Sequence, residues 1–258
     1  MARSGLSAKL PLPDRERLRQ IFGWLAPGQS LISGQALWGN ARFTVDEFLQ
    51  LQHLTAPYCD QCALPFDRLE DAGQICAACA AEHPGWSKAR SAFVYDDTTS
   101  QMVLGLKRSG KRAGLRVLGR YMTDAAREIL DTADVLIPVP VHYRRLAVRG
   151  FNQAGWLAEA ISDQTGIPVH HQLLARVKAT PSQGHLTSRQ RRKNVAGAFR
   201  LTEKGRNKLT ARRLVLVDDV YTTGATLNAC ARALHKAKPA NLDVVTLARV
   251  VAPRNPLI

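Results

Sequence analysis

Two stretches of this chain carry residue types at spacings that could do chemistry. In "CDQCALPFDRLEDAGQICAAC", Cys59, Cys62, Cys76 and Cys79 form two C-x2-C hooks with thirteen residues between them. Each hook can present two thiolates to one tetrahedral Zn²⁺, and four cysteine ligands leave no open coordination position, so the spacing predicts a structural zinc site and not a catalytic one. The alternatives are a pair of redox motifs or unligated thiols; spacing together with a reducing compartment favours the metal. The fifth cysteine, Cys230, falls in an apolar helical stripe and reads as core.

The second stretch is "RLVLVDDVYTTGATLNACARAL". Leu214–Val217 is a short β-branched run of the kind that forms a strand buried on both faces, while Leu227, Cys230, Ala231 and Leu234 recur at helical spacing. Asp218 and Asp219 are therefore expected on a strand-to-helix turn, where two carboxylates repel unless a cation or hydroxyl donors occupy the space between them. Thr222, Thr223, Gly224, Ala225 and Thr226 follow, offering hydroxyls and a nest of backbone N–H groups at a helix N-terminus, where phosphate binds well. Carboxylates for sugar hydroxyls or Mg²⁺ beside a phosphate nest describe a site for a ribose 5-phosphate group. The plain alternative is a polar loop in which Thr222 or Thr223 caps the helix.

The elements that must position these residues are legible at coarse grain. "SAFVY" (91–95), "DVLIPVPV" (134–141), Leu214–Val217 and 242–251 read as strands; 98–106, 114–130, 151–166 and the stretch after Gly224 read as helices, with Gly166 closing one of them. Strands alternating with helices imply a mostly parallel sheet in an α/β fold. Ahead of them, Asp14 could cap a helix with Leu18, Ile21, Phe22 and Leu25 on one face, and "TVDE" (44–47) is a capping box leading into Phe48, Leu49 and Leu51. The expected organisation is an N-terminal helical segment (1–50), a zinc-binding module (51–90) and an α/β domain (91–258).

Thirty-six Lys and Arg against 21 Asp and Glu give a formal charge of +15, which favours phosphate-rich partners. Residues 176–213 hold twelve Lys or Arg and one acid, Glu203, and could meet nucleic-acid phosphates; Phe199 is their sole aromatic, so base stacking is poorly supported. No apolar signal-peptide region opens the chain and no segment approaches the length of a membrane span, so the expected location is cytoplasmic.

"VLVDDVYTTGATL" resembles the binding loop of type I phosphoribosyltransferases. The two cysteine hooks, "PVPVHYRRLAVRGFNQA" (138–154) and "RVKATPSQGHLTSRQRRKNVAGAF" (176–199) are similar to the pattern of the ComF family, phosphoribosyltransferase-like proteins linked in some bacteria to DNA uptake during natural transformation. The match runs from Tyr58 to Val251. The resemblance implies a type I phosphoribosyltransferase-like fold, with Asp218 and Asp219 on the ribose hydroxyls of Mg²⁺-bound phosphoribosyl pyrophosphate and Thr222, Thr223, Gly224, Ala225 and Thr226 around its 5-phosphate. It puts Arg144, Arg145 and Arg149 where pyrophosphate is held, Arg149 being favoured because Gly150 beside it lets backbone approach a ligand. Residues 180–194 would be a flexible loop closing over substrate. Read from its own context, His142 is a loop histidine without a role. The implied activity is transfer of the phosphoribosyl group to an unknown acceptor. The rival expectation is a non-catalytic competence protein that handles single-stranded DNA or a helicase of the transformation machinery.

Overall fold

The computed structural model describes residues 28–38, 42–68, 73–109, 114–179 and 188–251. The helix expected around Asp14–Leu25 lies outside them. A two-residue antiparallel ladder, β1 (Gly28–Gln29) with β2 (Ala36–Leu37), opens the described chain within the segment expected to be helical. Helix α1 (Val45–Gln50) follows with its capping box in place: Thr44 Oγ1 accepts from Glu47 N–H at 3.1 Å, and the Glu47 carboxylate accepts from Thr44 N–H at 2.8 Å. Then come α2 (Ala77–Ala81), β3 (Ala89–Val94), α3 (Asp97–Ser109), α4 (Leu115–Ala125) and α5 (Arg127–Leu130). The helix expected over 114–130 is thus two, broken where Ala126 leaves helical geometry. Onward the chain forms β4 (Val135–Pro138), α6 (Tyr143–Arg149), α7 (Gln153–Thr165), β5 (Leu174–Arg176), α8 (Ser188–Val195), β6 (Phe199–Leu201), α9 (Glu203–Lys208), β7 (Arg213–Tyr221), α10 (Ala225–Leu234) and β8 (Asn241–Arg249).

Four of these strands make one parallel sheet in the order β3-β8-β7-β4; β5 and β6 pair separately as an antiparallel ribbon. A central parallel strand needs cover on both faces, and β7 shows how its apolar run provides it. Leu214 and Leu216 enter the core that holds the cysteine hooks, the β5–β6 ribbon and α10; Val215 and Val217 enter the opposite core with Leu118, Met122, Leu157 and Ile161 of α4 and α7. Those two helices approach closely at Gly119, where an added Cβ would meet the backbone of Ala160 at 2.7–2.8 Å.

The cysteine module is bolted to the edge of the sheet through buried polar contacts. Ala89 N–H donates to the Asp60 carbonyl at 2.9 Å and Trp86 Nε1–H to the Gln61 carbonyl at 2.6 Å. Arg90 is only 3% exposed, and its guanidinium is fully engaged: Asp60 Oδ1 at 2.8 Å, the Asp60 carbonyl at 3.0 Å, and the Glu128 carboxylate. A buried arginine survives only with such pairing, and here the pairing holds the first hook against β3.

Candidate functional site

The four hook cysteines are all buried, and their sulfurs lie within 4.8 Å of one another. Cys76 is the N-cap of α2, so Cys79 follows one helical turn later and both thiols face the first hook. Cys62 Sγ stands 3.7 Å from Cys76 Sγ. Four sulfurs at about 2.3 Å from one Zn²⁺ make a tetrahedron with edges of about 3.8 Å, so the cluster has the dimensions of a closed tetrathiolate site. Cys76 N–H donates to Cys59 Sγ at 3.2 Å, the kind of second contact that orients a thiolate ligand. Donation from Cys62 holds the Cys59 thiol down to about 4, while Cys62 is pushed up by that same contact and burial pushes Cys79 up to about 12. A divalent cation held by the four sulfurs would supply positive charge that favours their thiolate forms.

At the carboxyl edge of the sheet, β7 runs further than its apolar stretch suggests. Asp218 pairs in register with Thr246, Val220 with Ala248 and Tyr221 with Arg249. The two carboxylates therefore belong to the end of the strand, and the turn expected to carry them shrinks to Thr222–Gly224. Their polarity hid a pairing that β8 continues to support, because β8 extends equally far. Both side chains are half-buried, and each Oδ1 accepts the next backbone N–H, Asp219 at 2.9 Å and Val220 at 2.8 Å. Neither Thr222 nor Thr223 caps α10: the N-cap is Gly224 in the left-handed region at φ +72°, with no side chain to occupy the first-turn amides. A Cβ there would also press on the Tyr221 ring at 3.1 Å. Thr222 and Thr226 are half-buried, Thr223 is exposed and Ala225 is buried under the turn.

The neighbouring strand β4 delivers the basic side of this edge. Val139 N–H donates to the Val217 carbonyl at 2.8 Å and Asn152 Nδ2 to the Val139 carbonyl at 3.0 Å, fixing the β4 exit beside β7. His142 then has a role that its sequence context did not signal. It is 6% exposed and N-caps α6, Nδ1 accepting from Arg144 N–H at 3.3 Å. Arg144 and Arg145 lie in α6, and Arg149 is its last residue; the Arg149 side chain lies outside the described residues. Gly150 caps that helix at φ +77° with open space where a Cβ would be, so helix termination accounts for the glycine. Of the expected flexible loop 180–194, residues 188–194 are in α8, and 180–187 lie outside the described residues. Arg192 Nη1 ties α8 to the module after α2, donating to both Glu82 oxygens at 2.8 and 3.1 Å.

Two more arginines reach this edge, Arg176 from the basic segment 176–213 and Arg249 from the last strand. Arg176, on β5, is largely buried over the Phe199 ring at 5.3 Å, within electrostatic reach of Arg145 and Asp218; burial and Arg145 work against its charge, and Asp218 supports it. Arg249 ends β8 with its guanidinium 4.1 Å above the Tyr221 ring, whose other neighbour is the edge of Trp86 at 5.8 Å. Only the charged interruption of an apolar strand run marked Arg249 in the sequence.

The chain is similar to a known domain family and to several known proteins. Residues 146–256 match the Phosphoribosyl transferase domain. Competence protein F of Haemophilus influenzae is 33% identical over 205 residues, covering 78% of this chain and 88% of that protein. DNA utilization protein YhgH of Salmonella typhimurium is 33% identical over 198 residues, covering 75% and 84%. Competence protein ComFC of Bacillus subtilis is 31% identical over 165 residues, covering 62% and 63%.

Proposed function

The chain belongs to the competence protein F family of phosphoribosyltransferase-like proteins, and on that premise we propose that it binds Mg²⁺-phosphoribosyl pyrophosphate at the β7–α10 turn and transfers the phosphoribosyl group to an acceptor. A structural Zn²⁺ in the four-cysteine centre completes the reading. The observation that carries it is the pairing of two carboxylates, Asp218 and Asp219, with the glycine-capped N-terminus of α10, at the carboxyl edge of a parallel sheet where α/β folds hold ligands.

In this reading the bond between ribose C1 and the pyrophosphate oxygen breaks, pyrophosphate leaves with the bonding pair, and the acceptor's lone pair forms the new bond at C1. Asp218 and Asp219 accept hydrogen bonds from the ribose hydroxyls and so fix C1 relative to the incoming acceptor. The hydroxyls of Thr222, Thr223 and Thr226 and the amides around Gly224 and Ala225 hold the 5-phosphate. Arg149, with Arg144 and Arg145, balances charge on the departing pyrophosphate. Mg²⁺ bound with the ligand would supply further neutralisation of that leaving group.

Incubation with Mg²⁺, phosphoribosyl pyrophosphate and a library of bases and amines, followed by mass spectrometry, should yield a ribosylated product. Asp219→Asn should weaken phosphoribosyl pyrophosphate binding by ~1.5–3 kcal/mol, the scale of a hydrogen bond to a charged group. Unchanged affinity in that variant ends the reading.

A second reading, binding of single-stranded DNA, draws on the +15 charge and on relatives named DNA utilization proteins. Its affinity should fall steeply with salt, ignore Asp219→Asn, and lose about one unit of salt slope in Lys193→Ala if that exposed lysine meets a phosphate.

A further inference from the structure

We propose that Arg249 is a positioning residue through which the four-cysteine centre sets the geometry of the Thr222–Gly224 turn. The proposal rests on the sugar-phosphate reading of that turn for its functional meaning, and on contacts alone for its mechanics.

Parallel register places Arg249 beside Tyr221 at the last pair of the β7–β8 ladder. A guanidinium is a rigid planar fork, able to donate in several directions at once. Here Nε donates to the carbonyl of Cys62 at 2.8 Å, while Nη1 donates to the carbonyl of Thr222 at 2.8 Å and to those of Tyr221 and Val250. One arm thus grips the backbone of a hook cysteine, and the other grips two successive residues entering the turn. The stack on Tyr221 adds a second link, because that same ring is what a Cβ on Gly224 would strike.

The position of the Cys62 carbonyl depends on where the Cys62 thiol is held. When the hooks close on one ion, that carbonyl is fixed; when they open, Arg249 loses its anchor and the turn loses two carbonyl contacts. Charge works in the same direction. Four thiolates around a divalent cation keep a net negative charge, which the guanidinium offsets. A lysine, with a point charge and no fork, cannot span both partners.

The test uses the full-length, metal-loaded protein as wild type, Arg249→Met and Arg249→Lys. Three quantities are read: metal content by native mass spectrometry, amide exchange at Tyr221–Ala225, and the Kd for ribose 5-phosphate. Both variants should keep one metal per chain, exchange faster at the turn, and bind ribose 5-phosphate at least about tenfold more weakly, the scale of a lost charged hydrogen bond. Chelation should speed exchange at the turn in wild type but add nothing there in the variants, since the coupling has already been cut. A residue with a merely structural role would leave the turn as sensitive to chelation as before. Exchange in wild type that ignores chelation, or that chelation accelerates equally in all three proteins, overturns the proposal. If wild type fails to bind ribose 5-phosphate, the sugar-phosphate reading falls, and the exchange comparison still decides the role of Arg249. Arg249→Lys keeps the stem and charge, so it carries the test if Arg249→Met does not fold.

Discussion

The thiols of Cys62 and Cys76, one from each hook, stand 3.7 Å apart in the interior of the protein. This is the spacing of neighbouring ligands on one Zn²⁺, and both residues are also part of the core that includes α10 and Leu216 of β7. Binding of a structural zinc contributes on the order of 10–16 kcal/mol, so loss of the metal should release the hooks and lower the melting midpoint of the sheet they pack against. Native mass spectrometry should show one zinc per chain, and Cys76→Ser should lose it and melt well below wild type. A zinc-free protein with an unchanged midpoint would contradict this.

What was legible in the sequence followed from local rules. The hooks are a spacing, the Thr44–Glu47 box is a four-residue pattern, and Leu214–Val217 is a run of branched residues; each needs only its neighbours to be recognised. Strand β7 was cut short because Asp218 and Asp219 break the apolar pattern although the ladder with β8 continues to Tyr221. The three-residue strands β5 and β6 are too short to show alternation and exist because their chain segments meet, Leu174 opposite Leu201 and Arg176 opposite Phe199. Helix α8, "SRQRRKNV", buries Val195 and has no apolar stripe to announce it. The Arg249 contacts join residues 187 positions apart at Cys62, so only the fold brings them together.

Two glycines in helices should respond to alanine with opposite signs. Alanine gains about 1 kcal/mol over glycine in a helix interior. At Gly119 that gain meets the Ala160 backbone at 2.7–2.8 Å, which cannot swing aside as a flexible side chain can, and overpacking costs about 1–3 kcal/mol. Gly119→Ala should therefore destabilise. At Gly105, in α3, the nearest atom to a new Cβ is the Leu31 carbonyl oxygen at 3.4 Å, an ordinary contact, so Gly105→Ala should stabilise by up to about 1 kcal/mol. Urea midpoints of the two variants test the contrast, and a stabilised Gly119→Ala would mean that α4 and α7 are not packed this closely.

His142 should make the basic side of the site sensitive to acid. Burial, then the charges of Arg144, Arg176 and Arg145, hold its imidazole below the usual histidine range. As the N-cap of α6 it must be neutral at Nδ1 to accept the Arg144 amide. The unfolded chain therefore binds this proton more readily than the native one. The stabilising contribution of the neutral ring is complete above about pH 6.5, the ordinary value, and is lost progressively as pH falls below it. Protonation would remove the cap and add a fourth positive group beside the three arginines, loosening the turn that leads from β4 into Arg144, Arg145 and Arg149. His142→Asn replaces the acceptor with one that does not titrate. Denaturation midpoints measured from pH 7.5 to 5 should fall more steeply for wild type than for His142→Asn, and an NMR titration of the His142 ring should report a value below 6.5. A ring that titrates above 6.5, or equal slopes in the two proteins, would show that Nδ1 does not hold the cap.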